Sequence, residues 1–452
     1  MPNSSIKLPK LSLFAFLRKW PSMNRNLILF FKEILDQNDG IVQLPNKLVL
    51  TDDAELIQYF LQKNYKNYIK TALVRNFVKN QIGNGLFTSD GAYWLKQRRV
   101  IQAGFHKKKL TGIATIMLDE INHYMDHIMD AYAESNEEID LEKEMTYLAS
   151  KIVSKSLFGQ EFDNDKIDII DKSISNANKY IVAVSKQPFT KPWYHLNGDY
   201  KRIMQQKKIR DQFILDFIEE RKQSGEKRDD LLGMLLETEY EDGSCMDKQQ
   251  LLDESIILLV AGNKTSATTM AWLFYLLATH PEIEQKVLES VTDNLGNVEP
   301  SIDNLRSLTY PLQVLEETLR IYPVVWLIDR EPVEDDEFAE IKIKKGQDIG
   351  AFIYGLHHNP KYWKDPEKFD PDRFTPENKK EQVPFSYLPF GGGPRICIGK
   401  NFAIMEMQFI LAMLIRRYQF TLSPGQEIGF KPLLTLSPTN GIKVRVQKRT
   451  TL

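Results

Sequence analysis

The stretch from Asp247 to His280 is the longest helical pattern in the chain, and it constrains the fold more than any other feature. It reads DKQQLLDESIILLVAGNKTSATTMAWLFYLLATH. As a helix rising about 1.5 Å per residue it would be about 50 Å long, which is enough to cross a whole domain. Asn263 and Lys264 interrupt its apolar run, so we do not expect it to span a membrane. The chain is therefore predicted to fold around one long helix.

The rest of the chain predicts more helix and a minor share of sheet. Residues Ile41–Asp52 alternate like a hairpin, and most of the chain from Tyr93 to His280 has helical periodicity. Alternation and turns after Asp329 predict a small sheet, and Asn440–Gly441 is a type I′ turn signal near the strand-like C-terminus. No repeat or Pro- or Gly/Ser-rich linker divides the chain. We expect an α-rich α+β fold in a single domain, residues 1–452.

The composition excludes several classes of protein. The chain has 452 residues, of which 42% are hydrophobic and 27% charged, as in an ordinary globular protein. Its formal net charge of −2 argues against nucleic acid as the main partner. The two cysteines, Cys245 and Cys397, cannot form a disulfide framework and fit a reducing compartment. The apolar N-terminal runs fall far short of the about 20 residues that a membrane span needs, so we expect none. We also expect the protein to be a cytoplasmic monomer.

Cys397 lies in the segment FGGGPRICIG, residues 390–399. The glycines permit backbone angles closed to other residues and let a flat ligand approach. A helix starting near Gly399 and the charge of Arg395 both favour a thiolate. A nucleophile would need a histidine base, and zinc would need more cysteine or histidine nearby. One thiolate suits a metal whose other positions a cofactor fills, as in haem. A buried cysteine in a Gly-rich turn is the alternative.

This segment resembles the haem-binding loop of the cytochrome P450 family, and further motifs follow the family order over nearly the whole chain. The resemblance implies haem b as cofactor, with Cys397 as the axial ligand of the iron and Phe390 beside it. EETLR, with Glu317 and Arg320, resembles the family's E-x-x-R motif, and Arg373 of FDPDRF matches the third member of its Glu–Arg–Arg cluster. These three residues would be structural. Alone, an E-x-x-R pair usually means a solvated surface pair.

The segment WLKQR resembles the family motif whose tryptophan and arginine reach a haem propionate. Trp94 and Arg98 are the matching residues, and Arg330 and Arg395 match other propionate-binding positions. An arginine fork suits a carboxylate. The alternative for this motif is an amphipathic surface helix.

The segment AGNKTSA, Ala261–Ala267, matches the place where the family binds dioxygen over the iron. Thr265 matches the threonine that organises proton delivery, and Ala261 matches the small residue above the porphyrin. Lys264 departs from the pattern, because Asp or Glu commonly precedes this threonine in the family. It either points away, or lines the pocket and holds a polar or anionic substrate group. Lost monooxygenase activity and peroxide-driven chemistry also remain open.

Other pocket positions follow from the resemblance, with a plain apolar wall as the alternative for each. They are Phe87, Val260, Ala261, Lys264, Val325, Trp326 and Ser437.

The resemblance implies a soluble, bacterial-type haem-thiolate monooxygenase that inserts one oxygen atom of O2 into a C–H bond. A buried ammonium without a partner is costly, so Lys264 favours an oxygen-rich substrate, such as a methylated sugar that undergoes O-demethylation. The alternatives are a hydroxylase of fatty acids, terpenes or steroids, a peroxide-rearranging isomerase or dehydratase, and a haem protein without catalysis.

The electrons are expected from outside the chain, since it shows no flavin-binding or iron–sulfur motif. We expect a ferredoxin or flavodoxin with an NAD(P)H-dependent reductase. Its docking face would surround Cys397 and attract the partner by charge. The candidate residues are Arg98, Arg99, Lys107, Lys108, Lys109 and Lys400.

Overall fold

The computed structural model describes residues 8–105, 107–160, 162–187, 190–228 and 230–450, with the side chains of residues 17, 20, 107–109 and 186 excepted. The helices are numbered here in chain order. They are α1 (Leu13–Arg18), α2 (Trp20–Arg25), α3 (Leu27–Asp36), α4 (Ala54–Gln58), α5 (Lys79–Ile82), α6 (Gly91–Ala103), α7 (Lys107–Tyr124), α8 (Asp130–Ser135), α9 (Leu141–Phe158), α10 (Asn164–Lys186), α11 (Lys191–Leu196), α12 (Asp199–Ser224), α13 (Leu231–Glu237), α14 (Lys248–Thr279), α15 (Pro281–Leu295), α16 (Thr309–Ile321), α17 (Ile353–His357), α18 (Pro376–Glu381) and α19 (Lys400–Arg417).

The strands are short, and the α-rich fold with small sheets that the sequence predicts is confirmed. The strands are β1 (Ile41–Gln43), β2 (Val49–Thr51), β3 (Tyr68–Ile69), β4 (Glu138–Asp140), β5 (Ile328–Pro332), β6 (Asp336–Phe338), β7 (Ile341–Ile343), β8 (Ile349–Ala351), β9 (Tyr418–Leu422), β10 (Phe430–Pro432), β11 (Leu436–Pro438) and β12 (Lys443–Lys448).

The predicted long helix is α14, and its ends have local causes. The side chain of Asp247 accepts a hydrogen bond from the Gln250 N–H at 2.8 Å and caps the first turn. At the other end, His280 has φ −132° and ψ 73°. This residue precedes Pro281, and a residue before proline is disfavoured in the helical region. The helix therefore covers 32 residues, close to the predicted bounds.

The chain divides into two compact units, each assembled from separate segments. The first unit comprises residues 8–72, Gln313–Ile398 and Phe430–Ser437. It contains a five-stranded sheet in the order β1-β2-β8-β5-β3 and the β6–β7 hairpin. The predicted hairpin in residues 41–52 is present, with Ile41 opposite Thr51. β2 and β8 pair in parallel, and the sheet side chains pack with those of α4 in one apolar cluster.

The second unit comprises Leu73–Leu312, Gly399–Gly429 and residues 438–450. It contains most of the helices, with α14 packed against α9, and α19 packed against α7 and α14. Its sheet has the order β4-β12-β9. α14 is buried along most of its length, which explains why its sequence is apolar on nearly all sides.

The C-terminal turn signal was misleading. A type I′ turn requires positive φ at both central residues, and of Asn440 and Gly441 only the glycine has it, at +74°. The strands on either side belong to different sheets, since β11 pairs with β10 and β12 pairs with β4 and β9. Gly441 is needed because a Cβ there would lie 2.3 Å from the carboxylate of Asp140.

Within the described part of the chain, no helix combines the length and apolar character needed to cross a bilayer.

Candidate active site

The loop that carries Cys397 is a tight turn in the first unit. Gly393–Arg395 form one turn of 3-10 helix, and the Cys397 N–H donates to the carbonyl oxygen of Phe390 at 2.9 Å. The side chain of Cys397 is exposed, and α19 begins three residues later at Lys400. The alternative of a buried cysteine in a glycine turn is therefore wrong.

Two glycines of this loop have different reasons to be glycine. Gly393 has φ +67°, and a Cβ there would lie 2.0 Å from the carbonyl oxygen of Leu61, so the loop is pressed against this earlier segment. Gly391 has φ +72°, and a Cβ there would meet only the Ile328 side chain, at 3.5 Å. The chain beside Gly391 is therefore open to a close-lying flat group.

Two of the predicted propionate-binding arginines lie in the same unit as Cys397. Arg330 is in β5, is 6% exposed, and donates to the Asp329 carbonyl oxygen at 2.6 Å. Arg395 is half-buried in the 3-10 turn itself. A guanidinium is a planar donor that matches a carboxylate, so both residues suit the role proposed for them.

Glu317 and Arg320 form a fully buried ion pair on α16. Arg320 donates from Nε to Glu317 Oε2 at 2.7 Å and from Nη2 to Oε1 at 2.8 Å. Its other bonds go to the carbonyl oxygens of His357, at 2.8 Å, and Lys368, at 3.2 Å. Arg373 Nε lies 3.4 Å from Glu317 Oε1. The structure thus brings all three predicted residues together. Burial raises the pKa of Glu317, although both arginines oppose this.

His357 is a member of this cluster that sequence reasoning missed. Its ring Nε2 accepts the Leu388 N–H at 2.9 Å, two residues before Phe390. Burial lowers the pKa of His357 well below its usual range, so the ring is neutral. The ion pair, His357 and Leu388 thus form a hydrogen-bonded connection to the start of the Cys397 loop. No local pattern marks His357, because its partners are distant in sequence.

Trp94 and Arg98 lie one turn apart on α6 in the second unit. Trp94 is buried and Arg98 is half-buried, which fits a helix with one packed face. Gln97 anchors the helix, because its amide donates to the Tyr240 hydroxyl at 3.0 Å. An amphipathic surface helix has this pattern too, so the propionate-binding role of Trp94 and Arg98 stays a prediction.

Thr265 and Ala261 lie on the part of α14 that is not covered. Ala261 is exposed and Thr265 half-buried, whereas most other residues of this helix are buried. The Thr265 hydroxyl donates to the Ala261 carbonyl oxygen at 2.7 Å. The lone pairs of this hydroxyl can then accept a hydrogen bond from water or a ligand.

Lys264 has a protein partner that the sequence did not reveal. Its Nζ lies 2.9 Å from Glu142 Oε1 and 3.4 Å from the Thr146 hydroxyl, both on α9. The preceding Asn263 donates to the Ser150 hydroxyl at 2.6 Å and to Asp171 at 3.2 Å. Glu142, Thr146 and Ser150 are spaced four apart and share one face of α9. This polar stripe was the available signal for a partner of Lys264.

Lys264 gives no support for an oxygen-rich substrate. That expectation required an ammonium without a protein acceptor, and Glu142 supplies one. The nearby Asp171 is also affected, since burial raises its pKa to about 6 while Lys264 and Asn263 oppose the shift.

The remaining predicted pocket residues differ in exposure. Phe87 is 48% and Val325 36% exposed, and Val260 is half-buried. Trp326 packs against Phe31 in an apolar cluster, and its indole N–H donates to the Leu433 carbonyl oxygen at 2.8 Å. Ser437 is 1% exposed. Trp326 and Ser437 are both buried, so exposure does not support a place for them in the pocket wall. Their pocket role stays a prediction.

The predicted docking residues are described only in part. The side chains of Lys107, Lys108 and Lys109 lie outside the described residues. Arg99 is exposed and forms a 3.0 Å ion pair with Glu241.

An exposed cysteine ahead of a helix N-terminus, in a glycine loop with arginines, fits a haem-thiolate site. The sequence model of the cytochrome P450 family matches residues 7–446, and the chain belongs to the cytochrome P450 family. Similar proteins include the Arabidopsis thaliana protein LUTEIN DEFICIENT 5, chloroplastic. It is 32% identical over 446 residues, which cover 91% of this chain and 72% of that protein.

Two further similarities support the family and the fold. Cytokinin hydroxylase of Arabidopsis thaliana is 30% identical over 420 residues, covering 88% of this chain and 78% of that protein. The crystal structure of the cytochrome P450DA heme domain matches with a TM-score of 0.86 at 23% identity, covering 98% of each chain. The latter similarity concerns the fold alone.

The family binds haem b and its members are oxidoreductases of the monooxygenase class. The residues present fit this cofactor. The exposed thiol of Cys397, an open backbone at Gly391, and arginines suited to carboxylates are what an iron porphyrin with two propionates requires.

Proposed function

We propose that this chain hydroxylates a C–H bond of a predominantly apolar small molecule. Cys397 would bind the iron of the haem, and Trp94, Arg98, Arg330 and Arg395 would hold its propionates. The observation that carries the substrate class is the Lys264–Glu142 ion pair, because Glu142 neutralises the lysine that directly precedes Thr265. In the middle of α14, Ala261 is exposed, and Val260, Gly262, Lys264 and Thr265 are half-buried.

The cofactor, when bound, supplies the iron that activates dioxygen with electrons from outside. The chain's own contribution is to orient groups and to manage protons. The Thr265 hydroxyl donates to the Ala261 carbonyl oxygen, which leaves its oxygen atom as an acceptor for a proton-carrying water. Thr265 can therefore hold a proton source at one defined atom of α14.

The alternative of a methylated sugar and O-demethylation depended on an unpaired Lys264. The alternatives of a fatty acid, a terpene or a steroid do not, and the exposed Phe87 and Val325 suit them. The similarity to a protein named cytokinin hydroxylase supports hydroxylation as the reaction type.

We also propose a separate electron donor, a ferredoxin or flavodoxin with its NAD(P)H-dependent reductase, as the source of the two electrons. The basic residues Arg98, Arg99 and Lys400, with Lys107–Lys109 beyond the described side chains, remain the candidates for its docking face. We propose a cytoplasmic location and a monomer.

Thr265→Ala tests the catalytic assignment. With a substrate found by haem difference spectra among fatty acids, terpenes, steroids and methylated sugars, we expect NADPH oxidation to continue. Product formed per NADPH should fall about tenfold or more, because a positioned proton donor contributes ~10²–10⁴-fold. The missing electrons should appear as hydrogen peroxide.

Thr279→Ala is the matched control. Thr279 makes the same kind of bond, to the Tyr275 carbonyl oxygen at 3.0 Å, on an exposed part of the same helix. It should remain coupled. If both variants formed the same amount of product per NADPH, Thr265 would have no part in the mechanism. If only methylated sugars shifted the spin state of the haem, the apolar substrate class would be wrong.

Lys264→Met tests the meaning of the Lys264–Glu142 pair. We expect the free energy of unfolding to fall by about 1 kcal/mol or less, because the lysine side chain is 36% exposed and such pairs contribute little. Substrate affinity, measured from the spin shift, should stay within about twofold. Adding Glu142→Gln should restore the lost stability. Loss of substrate binding with unchanged haem content would show that Lys264 contacts the substrate, and it would support a polar substrate.

A further inference from the structure

The loop that carries Phe87 is bonded to two neighbouring carboxylates of α14. The Asn84 N–H donates to Asp253 Oδ2 at 2.7 Å, and the Leu86 N–H donates to Glu254 Oε2 at 3.0 Å. Charge-assisted bonds to backbone N–H groups are among the stronger hydrogen bonds in proteins. The backbone on the N-terminal side of Phe87 is thus fixed to the helix that carries Thr265.

The loop sequence GNGL is adapted to these carboxylates. A Cβ at Gly83 would lie 2.2 Å from Asp253 Oδ1, and a Cβ at Gly85 would lie 2.7 Å from Glu254 Oε2. Gly83 also has φ +87°, which only glycine adopts readily. No side chain fits at either position without moving a carboxylate, so the contact is a built feature of the loop.

The carboxylate of Glu254 is retained in an unfavourable environment. It is completely buried, and its Oε1 has no hydrogen-bond partner among the described residues. Burial raises the pKa of Glu254 to about 7, and burial also raises the pKa of Asp253. An apolar residue would avoid this cost, and buried carboxyl groups with perturbed pKa values are concentrated at functional sites.

The attachment point lies on the same face of α14 as the oxygen-site residues. Glu254, Leu258, Ala261 and Thr265 are spaced by four, three and four residues, which places them along one helix face. Seven residues separate Glu254 from Ala261, or about 10 Å along the axis. Phe87 is exposed while its neighbours Leu86 and Thr88 are buried. The loop therefore presents one aromatic ring near this face.

We propose that Asp253 and Glu254 are positioning residues that hold Phe87 as a rigid wall of the substrate site and thereby set its shape selectivity. This inference rests on the proposed function, since it assigns the wall to the oxygen side of the haem. A side chain on a mobile loop would yield to a bulky ligand, whereas a ring on a doubly bonded loop excludes it. Selectivity of this site is then determined by buried carboxylates that do not touch the substrate.

The test uses imidazole and 4-phenylimidazole as probes, which bind haem iron directly and differ in bulk. Dissociation constants are taken from the shift of the Soret band in purified holoenzyme. We expect Glu254→Ala to change the affinity ratio of the two azoles at least about threefold, in the direction given by Phe87→Ala. Glu254→Gln keeps a carbonyl acceptor for the Leu86 N–H and should restore the wild-type ratio.

Two further measurements distinguish a positioning role from general damage to the fold: the energetic coupling between two substitutions, and the hydrogen exchange of the Leu86 amide. The double variant Glu254→Ala/Phe87→Ala should show no larger change than Phe87→Ala alone, since both act through one ring. Amide exchange of Leu86 should be faster in Glu254→Ala. Asp253→Ala releases only the Asn84 end of the loop and should change the azole affinity ratio in the same direction. It replaces Glu254→Ala as the test if that variant does not fold.

The possible failures are distinct. If neither azole shifts the Soret band of the wild type, the haem assignment underlying the proposed function is wrong. If the wild type responds but the ratio is unchanged in both Glu254→Ala and Asp253→Ala, the positioning role alone is overturned. Additive effects of Glu254→Ala and Phe87→Ala would likewise overturn it.

Discussion

Cys397→Ser is expected to abolish the thiolate signature of the reduced carbonyl complex. A serine hydroxyl retains the shape of the side chain but does not supply a thiolate sulfur to the iron. Because Cys397 is exposed in a turn whose backbone bond uses its N–H and not its side chain, the substitution should leave the loop folded. The measurement is the absorption spectrum of the reduced protein under carbon monoxide.

Cys245→Ser is the control for the other cysteine. Cys245 is also exposed, and it lies after a polar turn where it forms a β-bridge with Glu239. Its replacement should leave the spectrum unchanged. A normal thiolate signature in Cys397→Ser, or its loss in Cys245→Ser, would refute the ligand assignment.

Arg320→Ala is expected to have the largest effect on stability. It leaves the carboxylate of Glu317 buried without its main partner and leaves the carbonyl oxygens of His357 and Lys368 without their donor. Removing one member of a buried ion pair costs about 3–5 kcal/mol. The free energy of unfolding from guanidinium titration should fall by this amount, and haem incorporation should fall with it.

Lys344→Ala is the matched control, because Lys344 forms a 2.7 Å ion pair with Asp335 in which both side chains are at least 60% exposed. Its removal should cost less than about 1 kcal/mol. Arg320→Lys keeps the charge but not the planar fork, so its loss in free energy of unfolding should lie between those of Arg320→Ala and the control. It can be measured if the alanine variant does not fold. A loss in Arg320→Ala as small as in the control would show that the cluster does not stabilise the fold.

The features that the sequence predicted well are local ones. The long helix begins at its cap, Asp247, and ends just before Pro281, so both signals adjoin the helix itself. Glu317 and Arg320 are three residues apart on one helix. The glycines, Arg395 and Cys397 are contiguous, so one segment describes the loop. In each case the residues that determine the structure are neighbours in the chain.

The features that the sequence did not predict depend on distant contacts. Lys264 was interpreted without Glu142, which lies more than a hundred residues earlier on another helix. Gly441 was interpreted as half of a hairpin turn, whereas it lies against the carboxylate of Asp140, which leaves no room for a Cβ. Trp326 follows a motif but has its hydrogen bond with Leu433. Residue spacing can mark a polar face, as on α9, but it does not say which distant residue that face contacts.

The sheet of the first unit has a consequence for how the protein is made. Its strands β2 and β8 pair in parallel, with Val49 opposite Ile349, while residues 73–312 belong to the other unit. At a synthesis rate of ~5–20 residues per second, β2 waits roughly 15–60 s on the ribosome for its partner strand β8. During this time the edge of β2 is unpaired and open to wrong pairing. The Cys397 loop rests on the same early segment through Gly393 and Leu61, so haem loading has to follow this late closure.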